Sequence, residues 1–541
     1  MKQNLLKISR LLMTLIIVLL VCGKLFAQNL PVRGIVLDNN NQPMPGVSVT
    51  IKGSTKGTVT GIEGRYTISV DKGQTLVFKS IGYATQEAVV SETYISTQLV
   101  PDTKTLNEVV VTALGVKKEF QKLGYSQSQI NGDDLTTARD ANPLNSLAGK
   151  VAGLQIGASS EFYGTPTVVL RGSTDILYVV DGEPVESDTY DFNADDVETY
   201  TVLKGPNAAA LYGFRGINGA IIITTKKGSK DKKGWQVDFN STLEAEKGFI
   251  VLPQSQTQYG RGTNYQYTYG NVLYDNTQRL PEWGPRFDGV FKTQQYDSPY
   301  DPTTGIRQAT PWLARGANNF NNFVQTGYTN TNSLSVAASG SNYDIHISYG
   351  HTYQQGDFPN TKLNIDNFKV SAGYDITPKL RVDADLNLNE QYSPNIPDVD
   401  YSPESYVYMF KVYGSADYDV RSLKNIYQGP QGVPGLQQYA AEYGRENNPY
   451  FIADEWLKGR TKETIYGSLK LTYKFNNDWN LYVRSALDTY DEKNTEDVPA
   501  GANLNDYLPW YTFGWYGDYR EDNRDLLENN TDIGLNYNHK F

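Results

Sequence analysis

The stretch VLKGPNAAALYGFRGINGAIIITTKKG, residues 202–228, has the residue types of a phosphate-binding loop: Lys204, Gly205, Gly213, Gly216 and Gly219 among small side chains, then an apolar run. A P-loop needs a fixed order, strand, glycine loop ending in GK[ST], then helix, so that backbone N–H groups at the helix start point at phosphate. Here Lys204 precedes the glycines, no GK[ST] occurs, and the apolar run follows the loop. The order therefore excludes that nucleotide chemistry. Gly205-Pro206 instead predicts a turn, 208–211 a short helix, the three later glycines sharp bends, and 220–225 a buried strand. Other chemistry is equally poorly supplied. The three histidines, His346, His351 and His539, form no HExxH helix, which argues against a zinc hydrolase. Cys22 is the only cysteine, which excludes disulfides within the chain and cysteine-ligated metal. With 60 Asp and Glu residues, no acid–base pair is singled out by spacing. The expectation is a protein that is not an enzyme and carries no cofactor. A net charge of −11 argues against a nucleic-acid partner.

The first residues read as a secretory signal (1–27): Lys2, Lys7 and Arg10, an apolar run over 11–21, then Ala27 before Gln28. That run is shorter than the ~20 residues a spanning helix needs. Cleavage is expected between Ala27 and Gln28. Cys22 raises a lipoprotein reading, but Val21 before it is not the small residue that lipid attachment usually wants. Past the signal no apolar helix of membrane length occurs, while Tyr (40) and Gly (48) are abundant. That composition suits a transmembrane β-barrel, in which alternate residues meet lipid and aromatics line the interfaces.

Residues 31–104 show short alternating runs (VSVTI, YTISV, TLVFKSIGY) between Gly, Pro and Asn turns, the signal for a small β-sandwich. Residues 105–115 contain NEVVVTALG, in which Glu108, Val109, Val110, Val111 and Thr112 favour an extended chain. Such a run can add to another protein's sheet edge or pack as a linker on its own domain. Residues 116–228 alternate short helices and strands. ARDANPLNSLAGKVAG predicts a helix over 143–151 ended by Gly153, and TPTVVLRGS and DILYVVDGEPV predict buried strands.

From Gly234 the period changes to alternation. LRVDADLNL puts Leu380, Val382, Ala384, Leu386 and Leu388 on one face and Arg381, Asp383, Asp385 and Asn387 on the other. FKVSAGYDI, WNLYVRSAL and IGLNYNHKF repeat the pattern. Strand pairs joined by TPK and by NND alternate with long connections, 250–328 and 392–461. Short turns on one side and long loops on the other are the outer-membrane pattern. Roughly nine strands fit after Gly234, whereas transporter barrels close with about 22. The expected reading is the N-terminal part of a longer protein, with an incomplete barrel over 234–541. The rival is a smaller complete barrel ending on Phe541.

Four motifs in series, LAGKVAGLQI, VVLRGS, ILYVVDGEPV and the opening stretch, together resemble the plug domain of SusC/RagA-like TonB-linked outer-membrane proteins of Bacteroidetes. The β-sandwich resembles their carboxypeptidase-regulatory-like domain, with Gly61 where a TDxxG turn usually has Asp, and NEVVVTALG resembles a Ton box. YGFRGINGAI departs from the usual YGSRAANGVI, so Phe214, Gly216 and Ile217 alter local packing. The resemblance implies a mostly β protein: sandwich, α/β plug and part of a large antiparallel transmembrane barrel. It marks Arg171, Asp181, Gly182, Lys204, Gly205, Tyr212, Gly213, Arg215 and Gly219 as plug-motif positions. It implies TonB with ExbB and ExbD as the energy-coupling partner, a SusD-like surface lipoprotein as a lid, and glycan or peptide cargo. It places the protein in the lipid of the outer membrane of a Gram-negative cell. Active import is the leading function, and an outer-membrane receptor or adhesin without uptake is the alternative. Loop aromatics such as Trp283, Tyr296, Tyr300 and Trp312 can stack on sugar rings or pack the loops.

Overall fold

The computed structural model describes residues 29–39, 41–54, 56–80, 83–100, 109–111, 117–119, 127–136, 140–159, 161–187, 189–228, 234–247, 256–262, 264–267, 283–400, 402, 404–427, 437–438, 447–502 and 516–539. Ala27, Gln28, Glu108 and Thr112 lie outside them. The chain divides into two compact units, one running to about residue 124 and one from Tyr125 onward.

The first unit holds the sandwich. Strands Arg65–Asp71, Asn29–Leu37 and Thr97–Gln98 form one sheet, and Gly57–Val59, Ser48–Ile51, Thr75–Lys79 and Gln86–Val89 the other. Alternation places Val32, Val36, Val49, Leu76, Phe78 and Leu99 in a shared core. In the same unit Val109–Val111 is a strand paired antiparallel with Lys117–Glu119.

The second unit contains an α/β body. Its sheet uses β1 (Gln127–Asn131), β4 (Leu177–Val180), β5 (Glu183–Val185), β6 (Val197–Leu203) and β7 (Ala220–Thr225), in the order β1-β6-β7-β4-β5. Strands β2 (Leu154–Gly157) and β3 (Thr167–Leu170) form a separate hairpin beside it. Every residue of β7 is buried, which explains its unbroken apolar run. Helix α1 (Pro206–Tyr212) begins with Pro at N1 after Gly205 (φ 63°) and ends at Gly213 (φ 61°). The helix expected over 143–151 is instead a 3-10 turn, Pro143–Leu147, capped by Asn142. The start is as expected, capped by Asn142, and the shortening lies at the end, where Gly149 takes a positive φ (73°) and breaks the run.

The rest of the unit is a wall of eight antiparallel strands: β8 (Gly234–Lys247), β9 (Thr326–Ser339), β10 (Tyr343–Gln355), β11 (Lys362–Thr377), β12 (Leu380–Asn395), β13 (Leu457–Lys474), β14 (Trp479–Val498) and β15 (Asp518–Tyr537). They pair in chain order, and β8 and β15 are the two edges. Among the described residues the wall has eight strands, against the roughly nine expected. Among the described residues, the connection before β9 forms two-residue ladders, such as Lys292–Thr293 with Thr310–Pro311, and one short helix, Asn319–Phe323. The wall is polar inside and apolar outside. On β12, Asn389, Gln391 and Ser393 are buried, whereas Leu386, Leu388 and Tyr392 are exposed. That inversion suits a strand facing lipid on one side. No helix among the described residues is long and apolar enough to cross a membrane, which says nothing about strands.

Described residues of the long connections pack together. Phe323, Phe358, Tyr406, Phe410, Tyr450, Phe451 and Trp456 share one core, with Phe358 stacked on Tyr406 at 4.9 Å.

Candidate functional site

The body lies against the inner face of the wall, and its motif residues determine how. Asp181 and Gly182 form the two-residue turn between β4 and β5, both with positive φ (51° and 94°), the requirement of a type I′ turn. From that turn the Asp181 carboxylate accepts from the Thr225 backbone N–H at 3.0 Å, which ties the hairpin to the end of β7. Arg171 also has positive φ (52°), and its N–H donates to the Gly153 carbonyl at 2.9 Å. Lys204 is buried and donates from Nζ to Ser128 Oγ at 3.1 Å, joining β6 to β1. Gly219 has φ 108°, and a Cβ there would lie 2.5 Å from Leu170 Cδ2 and 2.8 Å from the Leu203 carbonyl. Only glycine fits. Arg215 reaches the wall, pairing with Glu528 of β15 at 2.8 Å. Tyr212 closes α1 and packs against the small core around Leu203 and Ala220. These positions are not gathered into one pocket. They hold the body's turns and tie it to the wall.

The strongest polar constellation is one that sequence reasoning missed. Asp191 is 3% exposed, and its carboxylate accepts from Lys462 Nζ (3.0 Å), Gln391 Nε2 (2.8 Å) and Thr464 Oγ1 (3.1 Å). Its backbone carbonyl accepts from the Tyr466 hydroxyl at 3.3 Å. Beside it, Asn389 Nδ2 donates to the Tyr190 carbonyl at 3.2 Å, and Asp488 Oδ2 accepts from the Glu186 N–H at 3.1 Å. Arg484 pairs with Glu183 at 2.6 Å and donates to the Gly182 carbonyl at 3.3 Å. Lys227 crosses to Asp385 at 2.8 Å. Asp191 and Glu183 of the body thus meet cationic and amide side chains on β12, β13 and β14, while Lys227 and the Glu186 N–H of the body meet wall carboxylates, Asp385 and Asp488. Burial pushes the Glu183 carboxyl up to about 7, even with Arg484 opposing the shift. The available signal was the inward parity of β13, whose Lys458, Arg460, Lys462 and Thr464 alternate with outward residues.

The loop aromatics divide. Trp312 is 1% exposed and donates to the Pro285 carbonyl, and Tyr296 is buried in the loop core. Trp283 and Tyr300 are exposed, with Trp283 in a ring cluster with Tyr259 at 5.3 Å.

Residues 32–111 match the family profile described as CarboxypepD_reg-like domain, and residues 119–220 match TonB-dependent Receptor Plug Domain. The chain is 31% identical over 352 residues to TonB-dependent receptor SusC of Bacteroides thetaiotaomicron, covering 60% of this chain and 33% of SusC. It is 33% identical over 235 residues to TonB-dependent receptor P39 of Formosa agariphila, covering 42% and 22%. The chain therefore spans about a third or less of these relatives. In fold it is similar to the RagAB peptide importer in its open-open state, with TM-score 0.57 at 18% identity, covering 80% of this chain and 47% of that one. The closed-closed state matches with TM-score 0.55.

Proposed function

This chain belongs to the SusC/RagA-like TonB-linked proteins, and on that premise we propose that it is part of an outer-membrane importer of large nutrients, glycans or peptides, energised through TonB. The observation that carries the reading is the body bonded across the lumen face of β12–β14 by buried ion pairs and amide bonds. A pore filled in this way conducts only when the plug is moved, and moving it takes work. In this reading residues 31–104 are the sandwich, 105–115 the Ton box and linker, 116–228 the plug and 234–541 barrel. Residues 1–27 are the signal, cleaved between Ala27 and Gln28. The Ton box, Glu108 to Thr112, presents a β-branched strand to TonB, and strand addition transmits the pull driven by ExbB and ExbD. No covalent chemistry is required of the chain. A SusD-like lipoprotein covers the loops, and cargo bound there includes contacts to exposed Trp283 and Tyr300. The similarity to SusC and to the RagAB importer supports this reading.

The test is deletion of Val109–Val111 in the full-length gene product. Uptake of the cargo is expected to fall to the level of a TonB-deficient strain, while cargo binding at the cell surface is unchanged. Binding with uptake that never depended on this segment favours the receptor or adhesin instead.

A further inference from the structure

Lys369 is a buried cation that the bonds between plug and wall do not use. It lies on β11, an inner strand with β10 and β12 on either side, so no open edge of the wall adjoins it. The residue is 2% exposed and lines a small cavity with Asp196, Val197 and Thr225 of the plug. Among the described residues its Nζ has no hydrogen bond. Lys462, buried on the same inner face, has Asp191 at 3.0 Å.

The carboxylates whose charges reach Lys369 are Asp181, Asp196 and Asp385, and two of them are taken. Asp385 is held by Lys227 at 2.8 Å and by Ser371 Oγ at 2.6 Å. Asp181 accepts from the Thr225 N–H at 3.0 Å and from the Thr225 hydroxyl. Asp196 shares the cavity with Lys369, but its Oδ1 has no hydrogen bond either and lies 3.6 Å from His346 Nε2. The cross-strand neighbours offer no better acceptor. Ser348 is opposite on β10, with its buried Oγ unbonded. Asn387 is opposite on β12 and turns its Nδ2 to the Tyr466 carbonyl at 3.4 Å. The cavity measures about 10 Å³, the lower limit for one water. An ammonium carries three N–H donors, so a single water leaves it under-bonded.

We propose that Lys369 is a built-in bias toward plug displacement. A charge buried without its full set of hydrogen bonds raises the free energy of the plugged state. It regains those bonds once the plug moves off β11 and water reaches the strand. The ion pairs Asp191–Lys462 and Glu183–Arg484 favour the plugged state, and Lys369 opposes them. The plug is therefore held less firmly than its bonds alone would hold it. An apolar side chain of similar length would fill the same space without that cost, so packing alone does not call for a lysine. The inference goes beyond the importer reading, because the bias acts whatever moves the plug.

The test is hydrogen exchange of the full-length gene product in detergent, with neither cargo nor TonB present, followed in the plug strands β6 and β7. Lys369→Met removes the cation and keeps the length of the side chain. Its exchange in β6 and β7 is expected to be at least tenfold slower than in the unaltered protein. Unchanged exchange overturns the proposal. Faster exchange also overturns it, and shows that the lysine holds the plug, through a bridging water or through the carboxylates around it. If Lys369→Met does not fold, Asn387→Asp decides, because it supplies a carboxylate directly opposite the lysine at nearly the same shape. Slower exchange in that variant supports the bias, and unchanged or faster exchange overturns it. Since no cargo or TonB takes part, failure of the importer reading leaves this result unaffected.

Discussion

At Asp191 and Lys462 two opposite charges lie 3.0 Å apart with 3% of each side chain exposed, and this arrangement makes the pair asymmetric to mutation. Intact, its attraction roughly offsets desolvation, but losing one partner strands the other in a dry site, at a cost of about 3–5 kcal/mol. Asp191→Asn is therefore expected to destabilise the protein by that amount, and Asp191→Asn with Lys462→Met to recover most of it. A double-mutant cycle from urea unfolding in detergent checks this, and additive losses would mean the pair is not coupled. Glu183 supplies a pH dependence. Its folded value near 7 exceeds its ordinary 4.5, so between these values the folded state keeps a proton that the unfolded state has lost. Its contribution is full below the ordinary value and falls as pH rises through about 7. Thermal unfolding from pH 4.5 to 7.5 is expected to show a downward slope that Glu183→Gln flattens.

Strands β11 to β15 align five carboxylates in one outward row: Asp366 faces Glu390, Glu390 faces Glu463, Glu463 faces Asp491, and Asp491 faces Asp525. Two residues down each strand the outward positions are Phe368, Leu388, Ile465, Thr489 and Leu527, so the row stands just above an apolar band. Like charges directly opposite destabilise a ladder by about 0.2–1 kcal/mol per pair. Glu463 has two such neighbours, so Glu463→Gln is expected to stabilise the wall at low ionic strength, with the gain shrinking in high salt as screening rises. Unfolding midpoints of both proteins at two salt concentrations decide it, and a gain independent of salt would refute the electrostatic cause. At this scale much was legible. The TPK and NND turns, and the alternation of β12, predicted real hairpins because strand parity is a local property. The 3-10 turn at Pro143–Leu147 was not legible as such, since the positive φ at Gly149 overrides an otherwise helical composition. The packing among described residues of the long loops was illegible too, because Phe323, Tyr406 and Phe451 meet only through tertiary packing.

The seam between plug and wall joins residues far apart in the chain, Asp191 and Lys462 being separated by 271 positions, so no window of sequence shows it. Of the motif positions that the resemblance marked, Gly219 and Asp181 each meet a local backbone need, a positive φ, whereas Lys204 and Arg215 act through side-chain bonds. Partners on the wall were not legible, because inward parity says only that a side chain is polar, not what it meets. Tyr466 shows how far the two parts share one core. It belongs to β13, yet it packs among Leu144, Val197, Tyr200 and Ile223 of the plug and donates its hydroxyl to the Asp191 carbonyl. Two substitutions separate these roles. Tyr466→Phe keeps the ring and loses one hydrogen bond, a cost of about 1 kcal/mol, plus an unsatisfied Asp191 carbonyl lone pair. Tyr466→Ala removes the ring from a dry interface, a loss of about 3–5 kcal/mol by comparison with other large aromatic truncations. If plug and wall form one cooperative unit, Tyr466→Ala lowers the midpoint of both together, and hydrogen exchange rises across β6 and β7 as well as β13. If the plug is a separate domain that merely rests in the lumen, exchange rises in β13 alone and β6 and β7 keep their protection. The buried ion pairs on either side of Tyr466 argue for the first outcome, because exposing that ring to water also hydrates Asp191 and weakens its hold on Lys462.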